Sequence, residues 1–411
     1  MASRFAPMTL PEATSSMPGG GSQETTQPKT GAFEFLCLLA VAGPTGERRA
    51  RISSGDLAID WTEVLRLAEY HGVLPLVAHN LIGRNLPPAI ESSLCSSYQA
   101  NLRRSLWFAA ELARIVRHFD SCDLRAIPYK GPVLAQSAYG DLGLRSFSDL
   151  DLLLSPADFD RAKRALAEIE YRPTTEQSAV VERFWLRVGY ERSFDGAAGE
   201  NLVELQWALL PHFYGVELRV DDLIERSGCT VVGGCEIRCL SPEDSLLTLC
   251  LHAAKHLWTR LIWISDIAQT LRSSFIDWPF VVSRARDAGI VRIFGVSFWL
   301  VKNVLHAKLP KEAEGMIAAD SAVSVLGREF AERLARGAAY DFESTEYFRL
   351  ILKLRERRAD RRRYLWRLLS TPSVGDLAAV HLPEPLFPLY RVVRPLRLLR
   401  KLGQAFATTE N

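Results

Sequence analysis

Two aspartates separated by a single residue carry the clearest chemical signal in this sequence. They lie in the run Ser148-Asp149-Leu150-Asp151-Leu152, where polar and apolar residues alternate. Successive side chains of a β-strand point to opposite faces, so the two aspartates share one face while the leucines enter the core. Two carboxylates about 7 Å apart along a strand form a hard oxygen site that suits Mg²⁺ and substrate phosphates.

A third carboxylate follows about 50 residues later, in the run from Val203 to Trp207. The same alternation puts Glu204 and Gln206 on one face and the apolar residues on the other. Three carboxylates could hold a pair of metal ions. The simpler alternative is that Asp149 and Asp151 only solvate the end of a strand.

The order and spacing of these motifs add specificity that none of them has alone. Together they resemble the DNA polymerase β nucleotidyltransferase superfamily and, within it, the family described as uncharacterised nucleotidyltransferases. The resemblance extends from about residue 35 to residue 400. It rests on Trp61, Leu67-Ala68, His71-Gly72-Val73, Pro75-Leu76, Lys130-Gly131, Gly143, Arg145, Asp149, Asp151, Glu204-Leu205, Trp207, His252, Lys255-His256, Trp263, Asp266, Leu382-Pro383 and Leu389-Tyr390.

The resemblance implies a Mg²⁺-dependent transferase that moves a nucleotidyl group from an NTP, with ATP expected, to an acceptor hydroxyl. Asp149 and Asp151 would hold two Mg²⁺ ions, and Glu204 would help hold the catalytic one. Gly131 would be the glycine of the phosphate loop. Lys130, Arg145 and Ser148 are predicted to complete the nucleotide site.

Two other functions stay open at this point. The same carboxylates could present the γ-phosphorus instead of the α-phosphorus, which would make the protein a kinase. The protein could also be a non-catalytic nucleotide-binding module. The acceptor, whether small molecule, peptide or protein, is not identified by the sequence, and nucleic acid is not favoured.

Several charged residues near these motifs have two interpretations. Lys130 and Arg145 could neutralise triphosphate charge or pair with structural carboxylates. His252 and His256 lie four residues apart on one helix face, where they could contact substrate or form a buried pair. Asp266 could orient one of these histidines.

The periodicity of apolar residues along the sequence predicts an α+β fold. We expect a polymerase-β-type core, a mixed sheet with helices, inside a mostly helical chain. Its parts would be a disordered tail (1–30), an N-terminal helical region (31–120), the nucleotidyltransferase core (121–240), a helical domain (241–345) and a basic C-terminal segment (346–411). Within the core, a helix is predicted over Pro156–Ile169 with Ser155 as its N-cap.

Composition excludes some classes of protein. Hydrophobic residues make up 48% of the 411 residues, and 50 Lys and Arg balance 48 Asp and Glu, which argues against a strongly cationic nucleic-acid coat protein. Seven scattered cysteines predict no disulfide framework and favour a reducing cytoplasm. No apolar run reaches the roughly 20 residues of a membrane span, and residues 35–42 predict a buried helix.

The C-terminal part is basic, because residues 345–401 hold 14 Lys and Arg against 5 Asp and Glu. Seven of these arginines, between Arg355 and Arg367, are interleaved with apolar residues. They predict either a solvated helix with one apolar stripe or a patch that binds an acceptor or an anionic surface.

Overall fold

The computed structural model describes residues 30–43, 59–337, 341, 344–380 and 382–409. The predicted disordered tail therefore lies outside the described residues, except for Thr30, which begins the first helix.

In the part of the chain that the structure describes, four helices precede the sheet. They are α1 (Thr30–Leu39), α2 (Trp61–Tyr70), α3 (Leu74–Leu81) and α4 (Pro88–Ser121). Helix α1 is buried along most of its length, as the apolar run at residues 35–42 predicts. Helix α2 begins where the Asp60 carboxylate accepts a hydrogen bond from the Glu63 amide, an N-cap that satisfies one of the unpaired amides of the first turn.

The sheet is mixed and has five strands in the order β1-β2-β5-β4-β3. The strands are β1 (Ala126–Pro128), β2 (Leu150–Leu154), β3 (Arg172–Pro173), β4 (Glu191–Gly196) and β5 (Gly199–Gln206). Strands β2 and β5 are parallel, and the other neighbours are antiparallel. This confirms the predicted α+β class.

Short helices connect these strands. They are α5 (Gly131–Leu134), a π-helical turn (Ala135–Tyr139), a 3₁₀ turn (Leu142–Leu144), α6 (Phe159–Glu168) and α7 (Ala179–Val188). The prediction for Pro156–Ile169 needs a correction. Its first turn, Pro156–Asp158, is a 3₁₀ turn, and the Ser155 side chain makes no capping hydrogen bond.

A small hairpin follows the main sheet. After a 3₁₀ turn (His212–Tyr214) and α8 (Val220–Glu225), strands β6 (Gly228–Val232) and β7 (Cys235–Cys239) pair antiparallel. Gly233 and Gly234 both have positive φ, which the tight turn requires and which glycine adopts without strain.

The rest of the described chain is helical. It contains α9 (Pro242–Lys255), α10 (Leu261–Ser273), α11 (Trp278–Ala288), α12 (Val291–Asn303), α13 (Lys311–Ala318), α14 (Ala322–Ala335), α15 (Thr345–Leu354), α16 (Arg358–Ser370), α17 (Val374–Ala379), a 3₁₀ helix (Glu384–Leu389) and α18 (Tyr390–Thr409). None of the described helices combines the length and apolar character that a membrane crossing needs.

Two large hydrophobic cores and a smaller cluster between β1, β2 and α8 hold the described elements together. Helices α1 to α3 share one core with helices α9 to α16, so the N-terminal helices pack against the helices that follow the sheet. The sheet has its own core, which it forms with α4 and α6. The predicted domain boundaries stay a prediction, and residues of the predicted second segment (31–120) and fourth segment (241–345) pack into a common core.

Candidate active site

The acidic residues of the two parallel strands lie side by side. In the β2–β5 register Asp151 is directly opposite Glu204, so both side chains leave the same face of the sheet. Asp149 immediately precedes β2, two residues before Asp151. Leu150 and Leu205 are buried in the sheet core, as the alternation predicts. The backbone of two central strands therefore positions all three predicted carboxylates.

Gln206 connects the acidic side chains through its amide group. Its Nε2 atom donates to Asp151 Oδ1 and to Glu204 Oε2, each at 2.9 Å, and lies 3.2 Å from Glu191 Oε2. Its Oε1 atom accepts a hydrogen bond from the Tyr129 hydroxyl at 2.7 Å. Since Asp151 Oδ1 and Glu204 Oε2 contact the same nitrogen atom, they are separated by no more than twice that 2.9 Å distance.

Glu191 is a fourth carboxylate at the site, and the sequence analysis did not identify it. It lies on β4 opposite Gln206 in the antiparallel β4–β5 pair. Its neighbour Tyr190 accepts a hydrogen bond at its hydroxyl from Lys255 Nζ at 3.2 Å, and the same ammonium lies 4.6 Å from the Tyr190 ring centre. These contacts bring α9 to the edge of the acidic cluster.

Lys130 supplies positive charge inside the cluster. Its Nζ atom lies 2.7 Å from Asp151 Oδ1, and its side chain is only 10% exposed. Burial by itself lowers the pKa of Lys130, but the surrounding carboxylates, Asp151 first, outweigh burial and raise that pKa well above its usual value. The ammonium therefore stays charged, and in this structure it pairs with a carboxylate.

The crowding of carboxylates disfavours their ionised forms. Burial and the charge of Asp151 raise the pKa of Asp149 to about 6. Burial, then the charges of Glu191 and Asp151, raise the pKa of Glu204 well above its usual value. Negative charge is thus in excess at this end of the sheet, which is the condition that favours a bound cation.

The turn after β1 lies against the same cluster. Gly131 has φ +52°, and a Cβ atom there would lie 3.3 Å from the carbonyl oxygen of Asp149. A side chain at this position would be strained by the backbone and crowded by the strand that begins after Asp149. Lys130 and Gly131 therefore border the carboxylates, while Ser148 is exposed in the loop just before Asp149.

Arg145 and Asp266 form a buried ion pair with each other. Arg145 donates from Nε and from a terminal nitrogen to the two oxygens of Asp266, at 2.8 Å and 2.9 Å. The Tyr139 hydroxyl donates to the same carboxylate at 2.7 Å. Of the two interpretations of Arg145, this geometry matches the structural carboxylate pair, and the orientation of a histidine by Asp266 stays a prediction.

The two histidines of α9 form an aromatic cluster. The ring centres of His252 and His256 are 4.7 Å apart, and His256 stacks on Trp263 at 4.8 Å. Burial, with help from the charges of Lys130 and Lys255, lowers the pKa of both histidines well below its usual value. Both are therefore neutral near pH 7, and their contact with substrate stays a prediction.

The three predicted metal ligands are not drawn into one tight group. Among the described residues, the potential ligand atoms that all lie within 4.8 Å of one another belong to His118 at the end of α4, Cys122 just after it and Glu168 on α6. At the acidic cluster, Lys130 and Gln206 contact Asp151 instead. Asp151 and Glu204 share one face of the sheet, and the convergence of Asp149, Asp151 and Glu204 on one pair of ions stays a prediction.

The predicted basic patch is largely engaged in internal contacts. Arg357 pairs with Asp360 at 2.5 Å, Arg367 pairs with Glu217 at 2.7 Å, and Arg355 is buried. Arg358 and Arg362 are exposed. Whether the exposed arginines form a solvated face or a binding patch stays a prediction.

Comparison with known proteins identifies the family. No curated protein and no solved structure matches this chain significantly. A family model does match, over residues 58–306, which includes every residue of the acidic cluster and both histidines. The chain belongs to the family of uncharacterised nucleotidyltransferases.

Proposed function

We propose that this protein is a Mg²⁺-dependent nucleotidyltransferase that uses an NTP, with ATP expected, and an acceptor hydroxyl. The acceptor oxygen would attack the α-phosphorus, and pyrophosphate would leave. The observation that carries the proposal is the pairing of Asp151 with Glu204 on adjacent parallel strands, with Asp149 at the start of the first. In a chain of a nucleotidyltransferase family, this is the arrangement that phosphate chemistry needs.

The donor set fits Mg²⁺. All four acidic side chains offer carboxylate oxygens, which are the ligands that Mg²⁺ prefers. Their crowding raises the pKa of Asp149 and of Glu204, so a divalent cation would relieve a repulsion already present in the folded chain. When bound by Asp149, Asp151 and Glu204, Mg²⁺ would neutralise phosphate charge and polarise the acceptor oxygen.

The chain's own residues would orient the nucleotide. Lys130 is charged and borders the cluster, so its ammonium can exchange Asp151 for a phosphate oxygen with little movement. Gly131 leaves room for close approach of phosphate to the backbone. Gln206 holds Asp151 and Glu204 in a fixed relation through its amide, which keeps the carboxylates aligned before any ligand arrives.

The test incubates the protein with each NTP, labelled at the α- or the γ-phosphorus, in a cell extract with Mg²⁺. Transfer of α-label to an acceptor supports nucleotidyl transfer, and transfer of γ-label alone identifies a kinase. We expect Asp149→Asn and Asp151→Asn to abolish transfer of the label. The far-UV circular dichroism spectrum, which reports secondary structure, should be unchanged. Asp160→Asn, which removes an exposed aspartate of α6, is the matched control and should leave transfer intact.

NTP-dependent thermal stabilisation without label transfer in any extract would overturn the proposal in favour of a binding module. Wild-type transfer rates in both aspartate variants would show that the acidic cluster is not the reacting centre.

A further inference from the structure

Exposed apolar side chains are concentrated near the C-terminus. Among the described residues, nine of the fifteen exposed large hydrophobic side chains lie between residues 365 and 399. On the surface of a monomeric soluble protein such residues normally occur singly, and a contiguous group of them indicates an interaction site. The nine are Leu365, Trp366, Leu369, Val380, Leu386, Leu389, Val392, Leu396 and Leu399.

Two neighbouring helices present most of these side chains on their outer faces. Helix α16 buries Tyr364 and Leu368 but exposes Trp366, which is 72% accessible. On α18 the exposed residues Val392, Leu396 and Leu399 recur at steps of four and three, which places them in one stripe. The helices are joined where Arg394 Nε donates to the Leu368 carbonyl oxygen at 3.0 Å.

Some arginines of this region pair with a buried carboxylate, and others are exposed on the surface. Arg394 and Arg397 both pair with the buried carboxylate of Asp376, at 3.2 Å and 2.6 Å, so they hold α18 in place. Other arginines remain exposed around the apolar residues. They are Arg358 and Arg362 on α16, Arg391 and Arg400 on α18, and Arg183 and Arg187 on α7.

A groove of about 1000 Å³ runs between α7, α16 and the start of α18. Phe184, Trp366 and Phe387 form apolar parts of its wall, and Arg183, Arg187 and Arg391 lie along it. Trp366 and Leu369 of α16 and Arg391 of α18 thus border one common groove. We call this groove and the exposed faces of α16 and α18 the C-terminal surface.

We propose that the C-terminal surface docks on an anionic lipid bilayer. Amphipathic helices with Trp and Leu on one face and arginines beside them lie in the plane of a membrane, with the apolar side chains at the acyl boundary. The arginines complement anionic headgroups, and each basic residue near such a surface adds about fivefold in affinity. Nucleic acid fits less well, because the stripe of valine and leucines on α18 offers no partner to phosphates.

Docking of this kind needs both components, since neither one apolar contact nor charge alone gives stable anchoring. It also needs no membrane span, and the described helices contain none. The proposal does not depend on the reaction at the acidic cluster, because none of its residues belongs to that cluster.

The test is flotation of the full chain with vesicles of phosphatidylcholine, with or without phosphatidylglycerol. We expect binding only to vesicles that contain phosphatidylglycerol, and weaker binding as salt screens the exposed charges. Trp366→Glu and Leu396→Glu should each lower binding at least tenfold. Phe275→Glu is the matched control, because Phe275 is 91% exposed but lies outside the C-terminal surface.

A second pair of variants avoids any change to apolar packing. Arg358→Gln with Arg362→Gln removes two exposed charges, and we expect vesicle affinity to fall by more than tenfold. Unchanged thermal unfolding and NTP stabilisation in all variants would show that the fold is intact.

Four results would overturn the proposal. The first two are equal binding to neutral and anionic vesicles, and absence of binding to anionic vesicles. The third is full displacement of the protein from vesicles by inorganic phosphate. The fourth is a dimer that the Trp366→Glu substitution dissociates while vesicle binding is unaffected. Binding of acidic nucleic acid in place of vesicles would also refute it.

Discussion

The buried pair of Arg145 and Asp266 gives the sharpest test of the structural interpretation. The side chains are 7% and 1% exposed, and three hydrogen bonds converge on the Asp266 carboxylate. Removing one partner leaves the other as an uncompensated buried charge, which costs about 3–5 kcal/mol. We therefore expect Arg145→Met and Asp266→Asn each to lower the free energy of unfolding by about 3 kcal/mol or more.

The two changes together should cost less than their sum. The double variant contains no uncompensated charge, and an amide at position 266 can still accept the hydrogen bond from Tyr139. A double-mutant cycle measured by urea unfolding should give a coupling energy of at least about 1 kcal/mol. The matched control is Arg66→Met, since Arg66 makes the same two-point contact with Glu63 but is 61% exposed. Its loss should cost less than about 1 kcal/mol.

The alternative, in which Arg145 binds triphosphate, predicts a different pattern. Arg145→Met would then lower NTP affinity more than tenfold while the free energy of unfolding changed by less than about 1 kcal/mol. That pattern, or strict additivity in the cycle, would refute the assignment of Arg145 to Asp266.

Three further predictions concern the acidic cluster. Gly131→Ala should lower transfer activity, because Gly131 has φ +52° and its Cβ would press on the Asp149 carbonyl, whereas Gly140→Ala, at φ +73° in open space, should cost only stability. Since the pKa of Asp149 is raised from 3.8 to about 6, the folded state binds protons more readily than the unfolded state in that interval. The unfolding free energy without metal should thus fall as pH rises from about 4 to about 6, and Asp149→Asn should flatten that slope in urea titrations at each pH. Lys130→Met should destabilise the metal-free protein by removing the counter-charge of Asp151, and calorimetry should show that added Mg²⁺ restores much of the loss.

Local alternation was sufficient to predict the centre of the site. Polar and apolar residues alternate in both runs, so the shared face of Asp151 and Glu204 follows once the strands are parallel neighbours. Glu191 could not be found in the same way. The β4–β5 pair contains an irregularity between Phe194 and Gly196, where the partner on β5 changes from Val203 to Gly199, so the register shifts by two residues. Counting back from the turn would therefore place Glu191 opposite Glu204 and not, as observed, opposite Gln206.

Ion pairs between residues far apart in the chain could not be predicted from the sequence, for a different reason. Arg145 and Asp266 are separated by 121 residues, and their contact depends on how α10 packs against the turn of Tyr139. The sequence contains many alternative carboxylates for that arginine, and local rules do not choose among them. The same limit applies to the C-terminal arginines, of which some pair with Asp360, Asp376 or Glu217 and others face outward.

The electrostatics of the sheet end argue for ligand binding over architecture. Asp149, Asp151, Glu191 and Glu204 gather around one amide and one ammonium, and burial with mutual repulsion raises the pKa of two of them. Apolar residues would close this end of the sheet without that repulsion, since replacing buried charges by well-packed side chains is often stabilising. Four carboxylates at this end of the sheet lower the stability of the fold, and this cost supports the proposal that a cation and phosphate bind here.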